Sequence, residues 1–244
     1  MREIKIFSSV EDLNEFAAHE FVRLSDDAIG ARGIFTVALS GGSTPKKLNA
    51  LLASDKFRSQ IEWRKIYFFF GDERNVPPDS DESNFRMANE SLFSKLEIPA
   101  ENIHRFLTET NDARAAAEKM QSEIKTFFNL EENEFPRFDL IFLGMGADGH
   151  TASLFPETAA LNENKKIVVE NYVEKFETFR LTFTFPTINN ARNVIFLVAG
   201  ADKAEAARAV LKGADNPQKF PSQKVNPENG KLLFLLDEQA ARLI

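Results

Sequence analysis

The chain predicts an α/β fold, a single doubly wound and mostly parallel sheet flanked by helices. Two observations carry that expectation. Short runs of β-branched and aromatic residues recur along all 244 residues, and several are apolar nearly throughout, as strands covered on both faces must be. Longer helical stretches separate several of them, and strand followed by helix is the repeating unit of a parallel sheet. No compositional break, repeat or low-complexity tract divides the sequence, so one domain over 1–244 is expected.

Taken in order, IKIF at 4–7 reads as the first strand, and helix is expected over 10–29. The apolar runs IFTVAL at 34–39 and KIYFFF at 65–70 read as buried, central strands, with helix at 45–52 between them. Helices are then expected at 83–95 and 112–128, and the runs LIFL at 140–143 and IVV at 167–169 as strands. The alternating RLTFTF at 180–185, VIFLVA at 194–199 and LLFLL at 232–236 complete the strands, with helices at 203–211 and 238–243. Proline-containing and polar stretches at 75–82, 131–136 and 214–230 read as loops.

Composition excludes several classes of chemistry. The chain has no Cys, which removes disulfides, thiolate metal sites, iron–sulfur clusters and cysteine nucleophiles. With 30 Lys and Arg against 37 Asp and Glu the formal net charge is −7, which disfavours nucleic acid as a partner; a small anion fits better, gathered by local cations and backbone N–H groups. The 24 Phe fall in apolar runs and read as core. No segment offers the roughly 20 apolar residues of a membrane span, and the N-terminus meets charge before any signal-like run, so a cytoplasmic location is expected.

Ligands of open α/β sheets gather at the carboxyl ends of strands, and four such ends carry unusual residues. The first is SGGSTP at 40–45, whose Gly42, Ser43 and Thr44 lead into a helix expected to begin at Pro45; this is the chemistry of a phosphate cradle. It has neither the Lys of a nucleotide P-loop nor the three-glycine dinucleotide pattern. The second is GDER at 71–74, which offers Asp72 and Arg74 for hydroxyls and for an anionic or developing-oxyanion group. The third is GMGADGHTAS at 144–153. His150 ends a glycine-rich loop where imidazole suits proton transfer, and Asp148 stands ready to orient it, unless an Asx turn is its role. The fourth pairs two cations, Arg180 and Lys203, able to complete a phosphate site in an acidic protein.

No metal is expected, for the chain has no His-Glu-x-x-His pattern and no second His near His150. No cofactor is implied either. Ser43 and Ser153 are conceivable nucleophiles, but neither sits in Gly-x-Ser-x-Gly, so water activated by His150 is the simpler expectation.

Five segments together resemble the family of 6-phosphogluconolactonases and glucosamine-6-phosphate isomerases: LSGGSTP (39–45), FGDERNVPPDSDESNFRM (70–87), FDLIFLGMGADGHTASLFP (138–156), FRLTFTFPTINNARNVIFLVAGADKA (179–204) and LLFLLDEQAA (232–241). The resemblance implies metal-free hydrolysis of 6-phosphoglucono-1,5-lactone to 6-phosphogluconate, the second step of the oxidative pentose phosphate pathway. It implies His150 as general base, with Ser43, Thr44, Arg180 and Lys203 at the phosphate and Asp72 and Arg74 at the sugar end. Arg74 is expected to stabilise the oxyanion. Two departures, Glu157 after LFP and Phe179 before Arg180, flank these residues. A monomer or homodimer acting on a small phosphorylated lactone is expected.

Two rivals stand beside this reading. An amino-sugar phosphate deaminase resembles the same scaffold but carries an acidic residue where this chain has Phe155, and a non-catalytic sugar-phosphate sensor would not need His150.

Overall fold

In a computed structural model describing residues 2–110 and 112–244, six of the expected strands form one parallel sheet. They are β1 (Arg2–Phe7), β2 (Phe35–Leu39), β3 (Ile66–Phe70), β5 (Leu140–Gly144), β8 (Asn193–Val198) and β9 (Lys231–Asp237), in the order β1-β9-β8-β5-β2-β3. Every pairing among them is parallel. The chain runs from β2 outward to β3 and then returns to place β5 on the other side of β2, so the strand order reverses between β2 and β5. A crevice at such a reversal is where open sheets bind ligands.

The remaining strands form a second, three-stranded antiparallel sheet in the order β4-β7-β6: β4 (Asp72–Arg74), β6 (Val168–Val173) and β7 (Thr178–Phe183). Two of these coincide with the runs at 167–169 and 180–185, whose short apolar patterns do not reveal which sheet they join. β4 is a three-residue strand of charged residues with no propensity signal. RLTFTF does not remain a strand to its end: Phe185 opens α5 (Phe185–Asn189), with Pro186 in its first turn.

Three further differences have simple causes. The run at 65–70, expected to be central, is β3 at the sheet edge, where Phe68 bridges Ile103 of the following segment and stays fully buried. An edge covered by a loop is as apolar as a central strand. Helix α2 (Ser43–Leu52) begins two residues before Pro45, because Gly42 at φ 105° makes the turn and proline is tolerated in a first turn whose N–H groups have no helical partner. The helix expected at 83–95 is α3 (Asn84–Ser91) followed by a single 3₁₀ turn.

Helices α1 (Val10–Arg32), α4 (Ala113–Phe128), α6 (Ala204–Lys212) and α7 (Glu238–Ala241) match their expected places, α1 running on to a left-handed Gly33 that stops it. Phenylalanine fills the core: Phe21 meets Phe35 at 5.3 Å between ring centroids, Phe69 meets Phe138 at 5.1 Å, and Phe196 stacks on Phe234 at 4.4 Å. Among the described residues no helix is long and apolar enough to cross a membrane.

Candidate active site

The carboxyl ends of β2, β3, β5 and β8 open into a cleft of about 320 Å³. Ser40, Gly41 and Gly42 form one wall. A Cβ on Gly41 would stand 1.9 Å from Oδ1 of Asn84, so only glycine lets the loop approach α3. Gly42 caps α2 without a side-chain hydrogen bond, leaving first-turn N–H groups for a ligand.

Alternation along β4 sorts its three charges. Asp72 and Arg74 line the cleft, while Glu73 turns inward and is 2% exposed. Its carboxylate accepts hydrogen bonds from the backbone N–H groups of Arg74, Asn84 and Phe85, each at 2.8 Å, and from the Ser83 hydroxyl at 3.2 Å. Burial pushes the Glu73 carboxyl above its ordinary value despite those N–H donors, with Asp72 adding to the rise. Glu73 thus clamps the start of α3 to β4. Asp72 accepts from the hydroxyl of the buried Ser153 at 2.7 Å.

Arg74 and Arg180 face each other in register across β4 and β7, and Arg74 also donates to the Glu82 carbonyl. Burial, and then the charge of Arg74, push the Arg180 guanidinium below its ordinary value, and its Nε is buried without a hydrogen-bond partner. Two adjacent cations with an unanswered donor favour an anion between them. Lys203 reaches the same cleft from the turn after β8; Asp237 fixes that turn by accepting the Gly200 N–H at 3.1 Å.

The loop after β5 holds the imidazole. His150 Nδ1 lies 2.5 Å from Asp148 Oδ1, and Lys175 stands 3.6 Å from the other Asp148 oxygen. Burial pushes the Asp148 carboxyl up, but the bond to His150, the charges of His150 and Lys175 and the His150 backbone N–H outweigh it, holding the group well below the usual carboxylate range. An ionised Asp148 accepts a hydrogen bond from Nδ1–H, the tautomer that leaves Nε2 free as the acceptor nitrogen. The ring stacks on Phe155 at 4.0 Å between centroids. Gly149, at φ 79°, lies against Phe220, and its carbonyl accepts from the backbone and hydroxyl of Ser222 in the loop at 214–230.

A family model for glucosamine-6-phosphate isomerases/6-phosphogluconolactonase matches residues 8–234. The chain belongs to this family. A 6-phosphogluconolactonase from Synechocystis sp. is 46% identical over 213 residues, 87% of this chain and 86% of the relative. Solved 6-phosphogluconolactonases of Trypanosoma cruzi and Trypanosoma brucei each share 30% identity at a TM-score of 0.89, covering 99% of this chain and 96% and 98% of theirs.

In this member of the glucosamine-6-phosphate isomerase/6-phosphogluconolactonase family, six of the residues singled out from sequence line one cleft: Gly42, Asp72, Arg74, His150, Arg180 and Lys203. Asp148 stands directly behind the histidine. Ser43 opens instead into an adjoining groove of about 280 Å³ that shares Gly42 and Arg74, and Thr44 lines neither. Ser40, the first residue of SGGSTP, also lines the cleft, as do Asn84 and Phe176, which carry no local sequence signal. A larger groove of about 510 Å³ lies at the amino ends of β8 and β9, but it has no histidine and no glycine-loop donors, so the chemistry belongs to the smaller cleft.

Proposed function

We propose that the chain hydrolyses 6-phosphoglucono-1,5-lactone to 6-phosphogluconate, the lactone-opening step of the oxidative pentose phosphate pathway. The observation that carries the reading is the Asp148–His150 pair set in one cleft with three cations, from β4, β7 and the turn after β8. Arg180 and Lys203, with the N–H groups at the start of α2 and the Ser43 hydroxyl in the adjoining groove, take the phosphate. Asp72 contacts sugar hydroxyls.

His150 Nε2 removes a proton from water as the water oxygen attacks the lactone carbonyl carbon. Arg74 stabilises the oxyanion that forms. When the tetrahedral intermediate collapses, the bond from C1 to the ring oxygen breaks, and the imidazolium returns its proton to that oxygen. The products are a hydroxyl and a carboxylic acid, which ionises and releases one proton to solvent. The carbonyl is electrophilic enough that water, base and oxyanion donor suffice, and no metal step is required. Among the described residues no three His, Cys, Asp or Glu side chains converge as a metal site. Phe155 supports this chemistry over amino-sugar isomerisation, since an apolar ring stacked on His150 offers no proton relay.

The direct test generates the lactone in situ and follows acid release above its spontaneous hydrolysis, with glucosamine 6-phosphate as the alternative substrate. Rapid release from the lactone and none of the deamination product is the expected result; deamination without lactone hydrolysis overturns the reading.

A further inference from the structure

Phe176 is an exposed aromatic side chain in a site built for a polar substrate. It ends a 3₁₀ turn, Glu174–Phe176, at the tip of the hairpin joining β6 to β7, where Glu177 adopts φ 51° to close the turn. Its ring is 44% exposed and lines the cleft. Two contacts locate it. It meets Phe155 in an edge-to-face contact at 5.7 Å between centroids, and Phe155 is the ring stacked on His150. Its face lies 5.3 Å from the Arg180 guanidinium. Phe176 therefore spans the interval between the basic imidazole and the anion-binding cation.

We infer that Phe176 is a specificity-determining residue that packs against the apolar C–H face of the substrate's six-membered ring. The inference rests on the proposed lactone hydrolysis, in which the reacting carbonyl lies at His150 and the phosphate at Arg180. The two ends of such a substrate are joined by its ring, and the ring must cross the interval that Phe176 spans. A pyranose-like lactone presents hydroxyls at its rim and C–H bonds on its faces, so an aromatic plane beside it buries apolar surface from both partners. The other cleft residues near that interval, Asp72 and Arg74, serve the hydroxyls and the developing charge. Selection for a cyclic over an open-chain sugar phosphate falls to the hairpin ring, because the phosphate grip is the same for both.

The test measures binding of three probes to the unaltered protein and to Phe176→Ala by calorimetry: 1,5-anhydroglucitol 6-phosphate, which keeps the ring but cannot open, the open-chain 6-phosphogluconate, and inorganic phosphate. The ring compound is expected to lose about 3- to 10-fold in affinity, the scale of one aromatic contact, with phosphate unchanged and the open-chain acid affected less. Phe176→Tyr, which retains the ring face, is expected to restore the affinity. Equal losses for all three probes would show that Phe176 acts through Arg180, and no loss for any would leave it outside the substrate; either overturns the inference. Failure of the unaltered protein to bind the ring compound while binding phosphate overturns the substrate assignment, and this inference with it. Normal binding that Phe176→Ala does not alter overturns the inference alone.

Discussion

Gly146 leaves the space that the His150 ring fills: a Cβ on Gly146 would stand 2.0 Å from Nδ1 and 2.7 Å from Oδ1 of Asp148. A single methyl group there displaces the imidazole and its carboxylate partner together. Gly146→Ala is expected to fold normally and to lose on the order of 10²-fold in kcat, the scale of a catalytic group moved by about an ångström. Turnover beside circular dichroism checks it, and undiminished turnover would mean that the ring has another working position.

His150→Asn keeps a polar side chain of similar reach and removes the base. The expected loss in kcat is on the order of 10² to 10⁴-fold, with phosphate-ligand affinity retained. Since only neutral imidazole accepts a proton, kcat/KM of the unaltered protein falls on acidification, and that limb is absent from the variant's residual rate. The uncatalysed opening must be subtracted at each pH.

Asp148 ties stability to acid. Its folded-state value is depressed below the ordinary Asp value of about 3.9, so in that range the unfolded chain binds more protons than the folded one. Its contribution is complete above about 3.9 and is lost progressively as the pH falls below it toward the depressed folded value. Urea unfolding from pH 6 to pH 2 should show the stability difference between the unaltered protein and Asp148→Asn shrinking in that window. A difference that grows on acidification contradicts it.

The two facing arginines separate by kinetic parameter. Arg180→Ala and Lys203→Ala should raise KM with a smaller effect on kcat, while Arg74→Ala should lower kcat. Identical profiles for Arg74→Ala and Arg180→Ala would place both guanidiniums on the phosphate.

Glu73→Ala strips the acceptors from two backbone N–H groups and one hydroxyl at the start of α3 and from the Arg74 N–H on β4. Unsatisfied buried donors cost about 1–3 kcal/mol, and a lowered urea midpoint with unchanged m-value is the expected outcome.

The parallel sheet was legible because buried strands such as LIFL and VIFLV announce themselves by composition, and because each site loop follows such a strand. β4 was not, because Asp72, Glu73 and Arg74 carry no strand propensity and their partner, β7, is far away in sequence. The inward turn of Glu73 is equally invisible: three successive charges look alike until pleat alternation sorts them. Phe176 reaches the cleft by tertiary placement, and Thr44, singled out for its chemistry, is not in its lining because α2 begins at Ser43.

The imidazole is mounted on the parallel sheet, whereas Arg74 and Arg180 are mounted on the small antiparallel one. The cleft lies between these two supports, with residues of both in its walls. A tilt of the small sheet would carry Arg74 and Arg180 together past a stationary His150, so the two guanidiniums are adjustable only as a pair.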